Sequence, residues 1–360
     1  MSSRKRLCRF IAVTTSLIIF VVYLLNNMES TEKLRTLGLG VIRMLADPGE
    51  QSSPKKKSYD ILLVGYLRGG TTFTGGILGS RKNSFYLYEP LHNLSTFGYF
   101  KPGYECSLKH ESCRERKQGE EKILTIVKAV FDCDSDSYNQ TLRWWQIRFS
   151  GAAEKVNDKN CDKKSGSSTE ACLMKYLKLC STYGSVVSKI PRLSVSLAVK
   201  LLERLPNLKI IYLLRDPRAI MNSRKRLRWT PVPGGAISLC NKMTDDYLAS
   251  QKAQIAYPGR LQIVFYEDIV TQPLETLKTI YNFAGYEFDA AEQLRLDKMT
   301  KNSARIATNW RKVINKVVLR ETNKACTHVY RLFGYPQLTD PWNKNTSFPL
   351  RIKTEYEQIP

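Results

Sequence analysis

Apolar positions along the chain follow two alternating patterns. Nearly unbroken apolar runs recur at Tyr59–Val64, Phe85–Tyr88, Val186–Ile190, Lys209–Leu214 and Leu261–Tyr266. Between them, apolar residues repeat every three or four positions, as in Leu197, Leu201 and Leu205, or Leu274, Leu277, Ile280 and Tyr281. Unbroken runs suit strands buried on both faces, and the wider spacing suits helices that cover them. Strands alternating with helices predict an α/β fold, three-layered and P-loop-like, around a central, mainly parallel sheet. Local signals agree on the boundaries. Ser194 is a helix N-cap, Pro217 and Pro273 suit first helical positions, and Gly285 stops a helix. Residues 236–257 also read as helical.

One stretch breaks the rhythm. Residues 101–182 hold six cysteines and many charges. Ile123, Ile126, Val127, Val130 and Phe131 share one helical face, and Cys172, Tyr176 and Cys180 share another. This predicts a helical, disulfide-braced insertion. Trp144-Trp145 within it reads as core rather than a sugar platform.

The N-terminus changes the picture of the compartment. Arg4, Lys5, Arg6 and Arg9 precede an uncharged, apolar run from Phe10 to Leu25. Charge on that side predicts a cytosolic N-terminus and a single N-terminal transmembrane helix. A cleaved signal peptide would want small residues afterwards, whereas Asn26-Asn27-Met28-Glu29 follows. The expected order is a cytosolic tail at 1–9, an anchor at 10–25 and a stem at 26–57. A luminal domain follows at 58–345, then a C-terminal tail at 346–360. Eight of the nine cysteines fall on the luminal side, an even number suited to disulfides; their spacing makes zinc unattractive. Sequons at Asn93, Asn139 and Asn345 agree with this placement. The three histidines are scattered and make no metal cluster.

A net charge of +23 favours acidic partners. A luminal chain does not meet nucleic acid, which leaves acidic glycans and phosphorylated donors. The chemistry to hold them starts at Gly65-Tyr66-Leu67-Arg68-Gly69-Gly70-Thr71-Thr72, between the first apolar run and a helix. A strand, a glycine turn and a helix N-terminus aim backbone N–H groups at an anion. Gly65, Gly70 and Thr72 fit the P-loop template, but its lysine position is Thr71, and the cation sits earlier at Arg68. The threonine hydroxyls suit phosphate contacts and helix capping. On this turn alone, an ordinary glycine-rich βα turn stays open beside phosphate binding.

Other strand ends add to it. Glu89, before Pro90, ends the second apolar run, with His92 close behind. Lys189 and Arg192 end the third, where they meet phosphate or acceptor or remain solvated. Arg215, Asp216, Arg218 and Ser223 follow the fourth. Asp216 reads as a cap or an arginine partner rather than a chemical group. The basic run Arg224–Arg228 reads equally as a solvated face and as an acidic-glycan contact. In an open α/β sheet such strand ends share one edge, where ligands bind.

Together these stretches resemble the Golgi carbohydrate sulfotransferases, in particular the galactose/N-acetylglucosamine/N-acetylgalactosamine 6-O-sulfotransferases. Arg68-Gly69-Gly70-Thr71-Thr72-Phe73 is similar to the family's R-S-G-S-S-F loop for the 5′-phosphosulfate. Phe85–Pro90 resembles its F-x-L-Y-E-P strand. Leu213–Ala219 with Ser223 resembles its 3′-phosphate motif, L-V-R-D-P-R-A-x-x-x-S. Tyr266-Glu267-Asp268 with Pro273, then Trp310-Arg311, then Cys326 through Tyr335, resemble later segments. The likeness spans about 59–338. It departs at Gly69, Thr71 and Thr72, where serines are usual, and after Glu89, where Pro90-Leu91-His92 stands and a tryptophan usually precedes the histidine. The last departure touches acceptor choice more than donor binding.

The resemblance implies 3′-phosphoadenylyl sulfate as co-substrate, no metal, and a glycan acceptor on a glycoprotein or proteoglycan. It implies a type II Golgi membrane enzyme and is compatible with a homodimer. It places the donor on Arg68, Gly69, Gly70, Thr71, Thr72, Phe73, Arg215 and Ser223. Glu89 is the expected base, His92 its alternative, with Arg68 and Lys189 beside the leaving phosphate. A pairing of Cys240 with Cys326 goes with it. Two rivals remain: a P-loop kinase or triphosphatase, disfavoured by the absent lysine, and a non-catalytic glycan-binding relative.

Overall fold

The computed structural model describes residues 58–108, 110–116, 119–138, 142, 169–228, 234–338 and 349–353. The predicted anchor at 10–25, the stem and Trp144-Trp145 lie outside them. Among the described residues no helix is long and apolar enough to cross a membrane.

The expected sheet is present. Strands β1 (Asp60–Val64), β2 (Ser84–Tyr88), β6 (Ser185–Lys189), β7 (Leu208–Leu214) and β8 (Leu261–Phe265) form it, in the order β2-β6-β1-β7-β8. Every pairing is parallel. Alternation explains why the strands read as unbroken apolar runs. Leu62 and Val64 join one core cluster with Leu87, Ile210 and Tyr212, while Ile61 and Leu63 join the other with Tyr86, Val187 and Ile211. Each face is covered by helices, which makes three layers.

The sheet order positions the site. From β1 the chain runs to the β2 edge, returns through β6, and then crosses to β7 and β8 on the other side. The reversal lies at β1, where such sheets open a crevice at the strand C-termini. Gly65, Glu89, Ile190, Arg215 and Tyr266 all follow strand ends on that edge.

Part of the 101–182 expectation needs correction. Its start is not helical. Strands β3 (Gly98–Lys101), β4 (Tyr104–Ser107) and β5 (Cys113–Glu115) form an antiparallel sheet. A Cys106–Cys113 disulfide closes it. Alternation over four residues is too short to separate from loop in a charged stretch. The helix Gly119–Phe131 follows as expected, with Ile123, Val127 and Val130 buried. A Cys133–Cys180 disulfide ties this region back to the start of β6.

The remaining helices fall largely where their punctuation puts them. Ser194 caps Val195–Val199 by accepting from Leu197 N, and Gly285 ends Pro273–Ala284 at φ 67°. Tyr266 starts a short helix rather than ending β8. Cys240 in helix Gly234–Ala256 is bonded to Cys326 in helix Lys316–Phe333. Residues 349–353, expected in a tail, pack on the domain. Ile352 N donates to Gly334 O at 2.8 Å, Arg311 donates to Pro349 O at 2.8 Å, and Arg351 pairs with Asp268 at 2.7 Å.

Candidate active site

The turn after β1 is held open by its backbone. Gly69 N donates to Tyr66 O at 2.7 Å. Arg68 takes φ 74° and Gly70 φ 92°, both left-handed. A Cβ on Gly70 would lie 2.3 Å from the Tyr266 ring, so only glycine fits. Gly65 is needed for a different reason: a Cβ there would meet Leu213 O of β7 at 2.8 Å. The helix Thr71–Gly79 starts immediately after the turn, with Gly70 as N-cap and no side-chain capping bond. The threonines are therefore its first two residues rather than its cap. Their N–H groups belong to the helix N-terminus, where anions are favoured.

The end of β7 meets this turn. Arg68 Nε donates to Ser223 Oγ at 2.9 Å, and Arg215 Nη1 donates to Arg68 O at 3.1 Å. Arg215 also lies over the Tyr266 ring, 4.4 Å from its centroid. The expected 5′ and 3′ donor residues are thus in direct contact. Arg68's pKa is lowered by burial and by Arg215 beside it. Asp216 stays out of the cleft. It caps helix Pro217–Arg226 through Arg218 N and pairs with the buried Arg218 side chain at 2.8 Å.

The opposite wall comes from β2 and β6. Glu89 has φ 46° and is 5% exposed. Its carboxylate contacts Lys189 through one oxygen and Arg192 through the other. Burial alone would raise its pKa; the two cations overturn that and hold it well below the usual carboxylate range. Lys189 is buried, not solvated, and burial pulls its pKa down to about 8 against the attraction of Glu89. Lys189 Nζ reaches across to Thr72 Oγ1 at 3.0 Å and lies over the Tyr88 ring. It therefore bridges the glycine turn and Glu89.

Arg192 organises the loop that follows Glu89. It donates to Ser95 O at 2.6 Å and to Thr96 O at 2.9 Å, and its Nη2 lies 2.8 Å from His92 Nδ1. A guanidinium only donates, so His92 Nδ1 accepts and the ring proton is on Nε2. The longer approach of Nδ1 to Glu89, 3.3 Å, is then not a hydrogen bond from His92.

A cleft of about 450 Å³ joins the two walls. Among the predicted residues, Arg68, Gly70, Thr71, Thr72, Phe73, Glu89, His92, Lys189 and Arg215 line it. Gly69 lies buried in the turn, and Ser223 reaches the site through Arg68. Tyr88, Thr96 and Phe97 also line the cleft without having been singled out. Tyr88 was legible as the residue before Glu89, but Thr96 and Phe97 sit in a loop with no periodic signal. Among the described residues Glu89 is the only acidic one of the lining. Among the described residues no group of three histidine, cysteine or acidic side chains is placed to hold a metal.

The model of the sulfotransferase family matches residues 60–290, well over half of the chain, and this stretch carries both walls of the cleft. The chain belongs to the sulfotransferase family. Carbohydrate sulfotransferase 1 of Danio rerio is 25% identical and aligns over 81% of this chain and 81% of its own length. Carbohydrate sulfotransferase 6 of Homo sapiens is 23% identical, over 81% of this chain and 84% of its own. Among solved structures, the sulfotransferase domain from the Synechococcus PCC 7002 olefin synthase is 19% identical. It covers 76% of this chain and 97% of that one, with a TM-score of 0.38. A mouse sulfotransferase, SULT7A1, complexed with PAP, is 14% identical and covers 67% of this sulfotransferase and 63% of that chain, with a TM-score of 0.34.

Proposed function

We propose that this sulfotransferase moves the sulfonate of 3′-phosphoadenylyl sulfate to the 6-hydroxyl of N-acetylglucosamine, galactose or N-acetylgalactosamine in a glycan of keratan or chondroitin type. One observation carries the reading. Arg68 and Ser223 meet at 2.9 Å, which joins two strand ends suited to anions, and Glu89, the one carboxylate among the described lining residues, shares the cleft with them. The lining suits an anionic donor: Arg68, Lys189 and Arg215 converge on a helix N-terminus, and Gly70 leaves room for close backbone approach.

Bound there, the donor supplies an electrophilic sulfonate with a 5′-phosphate as leaving group. Arg68, Lys189 and the N–H groups of the turn stabilise the negative charge that grows on that phosphate. Arg215 and Ser223 hold the 3′ end. Glu89 takes the proton of the acceptor hydroxyl. It is ionised and therefore able to accept, although Lys189 and Arg192 weaken its basicity. Lys189 also faces Thr72, so an anion on the turn draws its charge and returns basicity to Glu89. His92 presents a donor Nε2–H and suits contact with the acceptor better than the role of base.

A luminal, type II Golgi setting is part of the proposal. Three disulfides among the described residues, Cys106–Cys113, Cys133–Cys180 and Cys240–Cys326, support an oxidising compartment. The test is transfer of labelled sulfonate to keratan, chondroitin and N-acetylglucosamine-terminated acceptors, followed by linkage analysis. The expected product is a 6-O-sulfated sugar. Label at another hydroxyl would correct the position, and donor binding without transfer to any glycan would favour a non-catalytic relative.

A further inference from the structure

Ser223 and Arg224 are consecutive on helix Pro217–Arg226, yet they hold the glycine turn from different sides. Ser223 accepts from the Arg68 side chain at the cleft surface. Arg224 lies beneath, 2% exposed, and its Nε donates to Leu67 O at 3.1 Å. Among the described residues its buried Nη1 has no hydrogen-bond partner. The groups that bear on its charge are the hydroxyls of Tyr66 and Tyr99, and burial lowers its pKa to about 10. Asp246, the buried acid that Tyr66 contacts, is already engaged by Lys242 and Val195 N. Among the described residues no carboxylate forms a salt bridge with Arg224. A buried cation without a counter-ion is costly, so its place behind an anion-binding turn asks for a reason.

The geometry of the turn supplies one. In a trans peptide the C=O and the following N–H point in opposite directions. Arg224 holds Leu67 C=O, which turns the Arg68 N–H the other way. Arg215 holds Arg68 C=O in the same manner. Both carbonyls at the top of the turn are thereby occupied by arginines, and neither is left to oppose an anion. The left-handed φ of Arg68 is kept in place by the same two bonds.

We propose that Arg224 is a positioning residue for the 5′ end of the donor site. Its bond to Leu67 O fixes the peptide plane that aims the turn, and its buried charge is balanced by the anion the turn receives. This rests on the reading of the turn as the 5′-phosphosulfate site. The helix that reads the 3′-phosphate through Ser223 thus also shapes the 5′ loop through the next residue.

The test separates the two ends of the donor. Adenosine 3′,5′-bisphosphate and adenosine 3′-monophosphate are titrated calorimetrically into the full chain and into Arg224→Met and Arg224→Lys. The monophosphate lacks the group the turn would hold, so it reports the rest of the site and the integrity of the fold. Arg224→Met is expected to weaken the bisphosphate roughly tenfold to hundredfold, the size of one charge-assisted hydrogen bond, and to leave the monophosphate within about twofold. Arg224→Lys, which keeps the charge and one donor, is expected to recover part of the bisphosphate affinity. Equal losses for both ligands would make Arg224 a general fold residue and overturn the proposal, as would an unchanged bisphosphate affinity. Wild-type protein that binds neither nucleotide would overturn the donor reading, and the proposal with it.

Discussion

The two walls of the cleft are built differently. The wall proposed to take the donor is local. Residues 65–73 form a turn and a helix start, whose backbone N–H groups suit an anion. The acceptor wall is not local. Glu89 and the loop to Phe97 are shaped by Arg192 from the end of another strand, with bonds to Ser95 O, Thr96 O, His92 and Glu89. The small antiparallel sheet packs beside them, with Phe100 N donating to Arg192 O at 2.7 Å. An anion needs a few aligned N–H groups, which one short segment can supply. A base needs a defined place relative to a separate hydroxyl, and that takes several elements. Both walls share one trait: a non-glycine residue with positive φ, Arg68 on one and Glu89 on the other. Such strain persists only where surrounding contacts enforce it.

The largest expected effect comes from breaking the acceptor wall. Arg192→Met removes one partner of a buried pair and leaves two carbonyls unmet. Urea denaturation should show a loss of about 3–5 kcal/mol. Sulfonate transfer should fall far more than donor binding. An equal loss of both would mean that the walls are not separable.

Breaking the donor wall should act in the opposite sense. Gly70→Ala imposes a left-handed backbone on alanine, costing about 1–3 kcal/mol, and pushes on the Tyr266 ring that carries Arg215. Nucleotide affinity measured by calorimetry should drop tenfold or more, while the loop around Glu89 stays intact. Normal affinity would show that the turn has room the structure denies it.

The residue that bridges the walls predicts a pH dependence. In the proposed mechanism the cationic form of Lys189 meets the donor, and burial lowers its pKa in the free protein to about 8. It loses charge as pH rises through that value, so kcat/KM should fall above pH 8, by about tenfold per unit. Bound donor adds negative charge beside it and raises its pKa, so kcat should hold to higher pH than kcat/KM. Lys189→Met should flatten that limb of the profile.

The smallest effect is expected at the Cys106–Cys113 bond. Replacing both cysteines with serine should raise the acceptor KM a few-fold and leave nucleotide affinity unchanged. A change confined to the nucleotide would reverse the assignment of the sheet to the acceptor wall.

This contrast also explains what was readable in the sequence. The parallel sheet was legible because strands buried on both faces leave unbroken apolar runs, as in β1 and β7. The donor turn was legible because glycine and arginine spacing is a local signal. Glu89 and Lys189 were legible as polar ends of strands. Arg192 drew notice as a charge at a strand end, but its hold on the loop at Ser95 and Thr96 leaves no local trace. Thr96 and Phe97 carry no pattern at all. The sheet β3–β5 was hidden because strands of three or four residues beside charges show too few alternations to count. Arg224 looked like one of a run of surface cations. Only the packing shows that it is buried while Lys225, Arg226 and Arg228 remain exposed.

The most direct test of the central claim, that a donor site and a separate proton acceptor face each other across this cleft, is Glu89→Gln. Nucleotide affinity and the rate of sulfonate transfer to glycan are measured on the same preparation. Glutamine keeps the shape; it removes an acid that favours cationic Lys189, but an anion on the turn restores that charge, so affinity should hold. Transfer should fall about a hundredfold to ten-thousandfold, the range for loss of a general base. Transfer within about threefold of wild type, or affinity lost together with transfer, would contradict the account.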